Sequence, residues 1–201
     1  MNPMIIGLTG SIATGKSTVS RMLKEKGYKI VDADEISRQV VEPGSAVLEE
    51  IADVFGNELI LSNGELNRDK LGALIFNNPH EREKLNKIIH PAIRQEMIRQ
   101  KEFWLEKGNQ TVVMDIPLLF ESKLQSYVEK IIVVSASPSI QRERLMARNN
   151  LTTEEADARI NSQLPVSEKE KGADAVINND GTLEETERQL DAILSKWNAN
   201  L

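Results

Sequence analysis

Gly10-Ser11-Ile12-Ala13-Thr14-Gly15-Lys16-Ser17 is the stretch that decides the fold: it fits the spacing G-x-x-x-x-G-K-[ST] and lies between a strand-like run and a helix-like run. A loop of this kind curls its backbone N–H groups round an anion, adds the positive end of the following helix, and relies on glycine to let the chain approach the phosphates. On this reading Gly10, Ser11, Ile12, Ala13, Thr14 and Gly15 cradle the phosphates of a nucleoside triphosphate such as ATP. Lys16 neutralises the β- and γ-phosphate charge, the Ser17 hydroxyl ligates Mg2+, and Thr18 extends the contacts along the helix. An ordinary glycine turn is the alternative, and the strand before the loop and the helix after it speak against that.

Working outward, short apolar or β-branched runs alternate with longer amphipathic stretches, the pattern of a parallel sheet covered by helices. Five runs read as buried strands: residues 4–9, 29–32, 111–116, 130–135 and 174–177. The helix that begins near Gly15 gathers Val19, Met22 and Leu23 on one side and stops at Gly27, a residue suited to a left-handed cap. Nearly eighty residues separate the second and third strands, several times what one crossover helix needs, so a subdomain is inserted there. Its periodic segments predict helices over 46–55, over 68–76, and from residue 79 onward, the last interrupted by Pro91 and ended by Gly108. A second excursion, 138–171, carries Arg142, Arg144, Arg148 and Arg159 and reads as a basic helical flap. Thr182 and Glu185 predict a capping box for a last helix whose apolar face is Leu183, Leu190, Ile193, Leu194 and Trp197. The expected fold class is α/β: three layers, α/β/α, round a five-stranded parallel sheet. The core takes residues 1–32, 109–137 and 172–201, a helical insertion 33–108, and an arginine-bearing lid 138–171.

The 201 residues suit one folding unit with subdomains, and 40% hydrophobic with 28% charged residues is an ordinary soluble composition. A formal net charge of −6 disfavours a nucleic-acid surface, so any anion site is local. The absence of cysteine excludes disulfides and thiolate chemistry and fits a reducing compartment. The apolar run Met4-Ile5-Ile6 is short for a signal peptide and has no basic region before it, so the expected location is the cytoplasm, with no membrane segment.

The second strand delivers Val31-Asp32-Ala33-Asp34, two carboxylates two residues apart at a strand's carboxyl end, where open α/β sheets bind ligands. One of them can take a proton from an acceptor hydroxyl while the other orients it. The competing reading is a polar strand end that caps the next helix. Asp115, at the end of the third strand, has the place of a second magnesium-positioning acid, or of a helix cap or turn residue. The segment from Pro117 to Phe120, including Leu118, and Glu121 after it are candidates to line the acceptor pocket. His90, before Pro91, reads by itself as a cap or turn residue.

Together Gly7-Leu8-Thr9-Gly10 with the loop, Asp32-Ala33-Asp34, His90-Pro91, Asp115 to Glu121, Gln141-x-x-Arg144-x-x-x-Arg148 and Ala173-Asp174-x-Val176-Ile177 resemble the dephospho-coenzyme A kinase family, in that family's order, from Ile6 to Gly181. The resemblance implies transfer of the ATP γ-phosphate to the ribose 3'-hydroxyl of dephospho-coenzyme A, the last step of coenzyme A synthesis. It implies Asp34 or Asp32 as base, with Asp34 preferred, and His90 at the acceptor site. Arg144 and Arg148, four apart on one helical face, would bring guanidinium charge onto the transferring phosphate as the lid closes. Pairing of these arginines with Glu143, Glu154 and Glu155 on a solvated helix is the plainer alternative. Arg159 and Gln163 match the family pattern as lid supports, and Asn178 and Asn179 as neighbours of the adenine. The loop departs from the resemblance at Ser11, Ala13 and Thr14, where Gly-Gly-Ile-Gly-Ser is common, which predicts altered stiffness with binding retained.

Another small-molecule kinase, acting on a nucleoside monophosphate, shikimate or gluconate, would share the loop, the acidic strand end and the arginines. A nucleotide switch or assembly ATPase would need no acceptor. The chain has no Asn-Lys-x-Asp guanine signature, and Asp53-x-x-Gly56 is a short match inside the insertion.

Overall fold

The computed structural model describes residues 3–76 and 78–201. Strand β1 (Met4–Gly10) is buried from Ile5 to its end, as a run of Ile, Leu and Thr with no alternation requires when helices cover both faces of a sheet. With β2 (Lys29–Asp32), β3 (Thr111–Asp115), β4 (Lys130–Ser135) and β5 (Ala175–Asn178) it forms a five-stranded sheet in the order β2-β3-β1-β4-β5. The β3/β1, β1/β4 and β4/β5 pairs run parallel, with Leu8 opposite Asp115 on one side and Ile132 on the other. β1 therefore sits in the middle, and its end and the ends of β3 and β4 open on one edge. The fifth strand starts one residue later than expected, since Asp174 turns its carboxylate to the Ile131 N–H at 2.8 Å.

Helix α1 (Lys16–Glu25) buries Val19, Met22 and Leu23 against the sheet and ends at Gly27 with φ 97°, as its spacing predicts. Its apolar side joins Ile6, Leu8, Val113, Ile132, Val134 and Ile177 in one core, to which α9 (Leu183–Trp197) adds Leu190 and Leu194. The capping box of Thr182 and Glu185 is formed. Leu183, read as part of the apolar face, is exposed, since at N1 it precedes the first turn that meets the sheet. The 138–171 excursion folds as α6 (Pro138–Asn149), α7 (Thr153–Asn161) and α8 (Val166–Lys171).

The chain divides into two compact units, residues 1–31 with 101–201, and residues 32–100. In the second, α2 (Ala33–Gln39), α3 (Ala46–Phe55), α4 (Arg68–Phe76) and part of α5 (Pro79–Glu106) surround Val41, Leu48, Ile51, Leu59, Leu66, Leu71 and Leu85. α3 and α4 have the expected limits. α5 does not: it runs unbroken through Pro91. Proline removes one backbone donor and leaves the carbonyl of Lys87 without its helical partner, yet both residues are exposed, so water can take that place. His90 is accordingly a mid-helix residue and neither cap nor turn. Gly56, with φ 107°, simply terminates α3, which disposes of the Asp53-x-x-Gly56 match. No described helix is long and apolar enough to cross a membrane.

Candidate functional site: a braced phosphate loop

The loop 10–17 leaves β1 and enters α1 through Gly15, the N-cap, at φ 93° and ψ 23°. That left-handed conformation belongs to glycine, and a Cβ there would lie 1.9 Å from the Asn179 amide nitrogen. Gly10 is required for another reason, since its Cβ would meet the Val134 carbonyl oxygen at 2.8 Å, and a backbone atom cannot step aside. Ala13 also takes positive φ, 60°, a conformation that glycine adopts without the penalty a Cβ brings.

Behind the loop lies a set of polar supports. Thr14 donates its hydroxyl to the Ser11 carbonyl at 2.9 Å. The Gln163 side-chain oxygen accepts the Ile12 N–H at 2.8 Å, while the Gln141 amide donates to the Ile12 carbonyl at 2.7 Å. Asn179 donates to the Thr14 carbonyl at 2.9 Å and accepts from the Thr186 hydroxyl at 2.8 Å. Its buried amide thus links the loop to α9.

On the ligand side, Lys16 forms an ion pair with the buried carboxylate of Asp115 at the end of β3. Ser17, in the first turn of α1, is exposed. An exposed hydroxyl and a carboxylate are hard oxygen donors of the type Mg2+ takes together with nucleotide phosphates and water. Among the described residues no group of three or more His, Cys, Asp or Glu could hold a metal by itself. Arg144 donates through Nη2 to the Asn179 carbonyl at 2.7 Å. Its Nη1 is buried without a hydrogen-bond partner among the described residues, 3.9 Å from where a Gly15 Cβ would stand. A buried guanidinium nitrogen beside a loop of this kind offers donor capacity of the sort that an anion takes up.

The other arginines of the excursion differ. Arg148 is exposed and donates to Asn149, its chain neighbour, at 2.9 Å. Arg142 pairs with Asp157 at 2.6 Å, tying α6 to α7, and Arg159 is exposed. Glu155 completes the Thr152 capping box, so the glutamates suggested as arginine partners have at least one other task. Leu118 is 44% exposed. Glu121 accepts the Leu164 N–H at 3.3 Å and pairs with Lys169 at 2.8 Å.

In the 32–100 unit, Asp32 and Asp34 have different surroundings. Asp32 is the N-cap of α2, its Oδ1 accepting the N–H groups of Asp34 and Glu35 at 2.9 and 3.1 Å. The Asp34 carboxylate is exposed and engaged by no hydrogen bond or ion pair among the described residues. His90 is exposed on α5, and its imidazole is held below the usual histidine range by partial desolvation and by Arg94 one turn on.

Sequence reasoning missed Lys169 entirely and did not give Gln141 or Gln163 a contact. Gln141 was visible as the start of a spaced motif; Lys169, inside Glu168-Lys169-Glu170-Lys171, was not.

The sequence matches the family described as "Dephospho-CoA kinase" over residues 4–185. It is 56% identical to the dephospho-CoA kinase of Bacillus anthracis, covering 97% of this chain and 98% of that one, and 56% identical to that of Geobacillus kaustophilus, with 98% of each covered. Among solved structures it is similar to a dephospho-CoA kinase from Campylobacter jejuni, with 30% identity, a TM-score of 0.74 and 96% of each chain covered.

Proposed function

The chain belongs to the dephospho-CoA kinase family, and from that premise and the geometry of the loop we infer an ATP-dependent phosphotransferase that phosphorylates the ribose 3'-hydroxyl of dephospho-CoA to make coenzyme A. The observation that carries the reading is the intact phosphate loop, with Lys16 on Asp115 and an unpaired Arg144 nitrogen beside Gly15, in a chain matched to the family over nearly its whole length.

The loop's N–H groups and the start of α1 receive the ATP phosphates. Lys16 exchanges its contact with Asp115 for the β- and γ-phosphates, and Arg144 Nη1 meets charge that develops on the transferring group. Mg2+, when bound, would be held by Ser17 and Asp115 and would neutralise phosphate charge. Asp34, with its carboxylate unengaged, takes the proton from the acceptor hydroxyl, while Asp32 keeps the helix start in place. His90, Leu118 and Glu121 are the proposed acceptor contacts, and Arg148 adds charge at the rim of the nucleotide site. Water is excluded by the 138–171 lid. The proposed partners are the two small molecules, and the proposed compartment is the cytoplasm, which a chain without cysteine suits.

Mass-spectrometric product analysis tests the reading: the protein is incubated with Mg-ATP and dephospho-CoA, with nucleoside monophosphates and shikimate as competing acceptors. Acceptor-dependent coenzyme A is the expected product. Phosphorylation of a competitor in its place, or ATP hydrolysis alone, would overturn the assignment.

A further inference from the structure

α8 carries Glu168, Lys169, Glu170 and Lys171 in succession, and their fates differ. Lys171 and Glu168 pair with each other on the surface, with side chains 70% and 48% exposed. Lys169 is completely buried, its relative exposure 0%. Its ammonium donates to the Gly10 carbonyl at 3.2 Å and pairs with Glu121 at 2.8 Å. Glu170 accepts from the Ser135 hydroxyl at the end of β4, and Gly172, after the helix, lies so close to the Phe120 ring that a Cβ would come within 2.5 Å of it. This one-and-a-half-turn helix is therefore fastened to the ends of β1 and β4 and to the segment after β3.

Burying a lysine is unfavourable unless its charge is directed at particular partners, and an apolar side chain of the same length would pack here without that penalty. One of the two partners is the carbonyl of the loop's first glycine. A peptide group is planar and trans, so its C=O and N–H point in opposite directions. Fixing the Gly10 carbonyl toward α8 therefore fixes the Ser11 N–H away from it. With Ile12 held on both its amide groups by Gln163 and Gln141, each peptide from Gly10 to Ala13 has a side-chain hydrogen-bond partner behind the loop.

We propose that Lys169 is a positioning residue for ATP, holding the Gly10–Ser11 peptide in the orientation that the phosphate-binding loop needs. The proposal rests on the kinase reading above, and it concerns nucleotide affinity alone. Glu121 has a second part in it: as counter-charge it makes the buried ammonium tolerable, and so it is separable from the effect on Gly10.

The test compares Lys169→Met with the double variant Lys169→Met/Glu121→Gln, each purified and assayed for coenzyme A formation, ATP KM and thermal unfolding. Lys169→Met is expected to raise the ATP KM by about tenfold or more, the equivalent of one hydrogen bond from a charged donor. Its KM for dephospho-CoA should change by less than the ATP KM does, any change there coming through Glu121, a split that general destabilisation would not produce. The double variant removes the unpaired carboxylate. It is expected to recover the unfolding temperature while keeping the raised ATP KM. A double variant with wild-type ATP KM would show that Lys169 merely neutralises Glu121, and the proposal would fail. Should the single variant not fold, the double variant decides alone. Failure of the kinase reading would look different, since wild-type protein would then make no coenzyme A at all.

Discussion

In the unit that carries the sheet, the groups proposed to meet the nucleotide are largely backbone, and each has a hydrogen-bond partner behind the loop: Gly10 in Lys169, Ile12 in Gln141 and Gln163, Thr14 in Asn179. In the 32–100 unit the candidate groups are exposed side chains, Asp34 and His90, on helices that pack round an apolar core of their own. The difference is the one that the two proposed ligands would require. A chain of phosphates is met by an array of N–H groups whose directions must agree, so the peptides that carry them need fixed partners on the other side. A hydroxyl awaiting deprotonation needs one carboxylate within reach, and a stable helix under it suffices. The loop should therefore respond to substitution through affinity and charge placement, and the insertion through single groups.

Lys16→Ala gives the largest effect if this is right, a fall in turnover on the order of a thousandfold, because the one flexible cation of the loop is lost from the transferring phosphate. Steady-state kinetics at saturating ATP checks it, and near-normal turnover would remove Lys16 from the chemistry. On the insertion side, Asp34→Asn should lower turnover on the order of a hundredfold, with ATP affinity retained by titration. Asp32→Asn should do much less, since asparagine caps a helix about as well as aspartate and can keep the contacts to the Asp34 and Glu35 N–H groups. If the two substitutions cost the same, the division of tasks between cap and base is wrong.

The asymmetry also decides what could be read from the sequence. Strand positions to within a residue, α1, α3, α4 and the loop were legible because burial on both faces, helical periodicity and glycine spacing each leave a local pattern. The uninterrupted α5 was not, because a proline's effect depends on whether its orphaned carbonyl meets water, which is a matter of tertiary placement. The family resemblance favoured Asp34 over Asp32, but the spacing alone did not distinguish them, and it is the start of α2 that makes Asp32 a helix cap. Lys169 was hidden for a similar reason. In Glu168-Lys169-Glu170-Lys171 every residue looks solvated, and nothing local says which one turns inward to Gly10 and Glu121. The contact of Asn179 with the loop was hidden too, because its partner Thr14 lies 165 positions away.

A smaller test concerns stiffness in the loop itself. Ala13 adopts φ 60°, a conformation that disfavours a side chain by about 1–2 kcal/mol, while glycine loses about 0.4–1 kcal/mol more freedom on folding. Ala13→Gly is therefore expected to stabilise the protein by about 0.5 kcal/mol in urea unfolding, with ATP affinity within about twofold of wild type. A destabilised variant would mean that the supports behind the loop do not hold Ala13 in its left-handed state in solution.

The smallest effect belongs to His90. Its folded-state affinity for protons is lowered, first by desolvation and then by Arg94, so the unfolded chain takes up the proton before the folded one does as pH falls. Above about pH 6.5 both states are neutral and His90 contributes no pH dependence. Below it, stability declines with acidification until the folded-state value is passed, and then levels off. Because the ring is exposed, solvent screening keeps the effect small, with a difference of about 1 °C or less between wild type and His90→Gln over pH 7.5 to 5.5. Wild type should lose slightly more stability on acidification than the variant. If the variant loses more, His90 gains an acidic partner in solution, and the picture of lone exposed groups on the insertion would have to give way to one in which its side chains, like the loop's peptides, are held by neighbours.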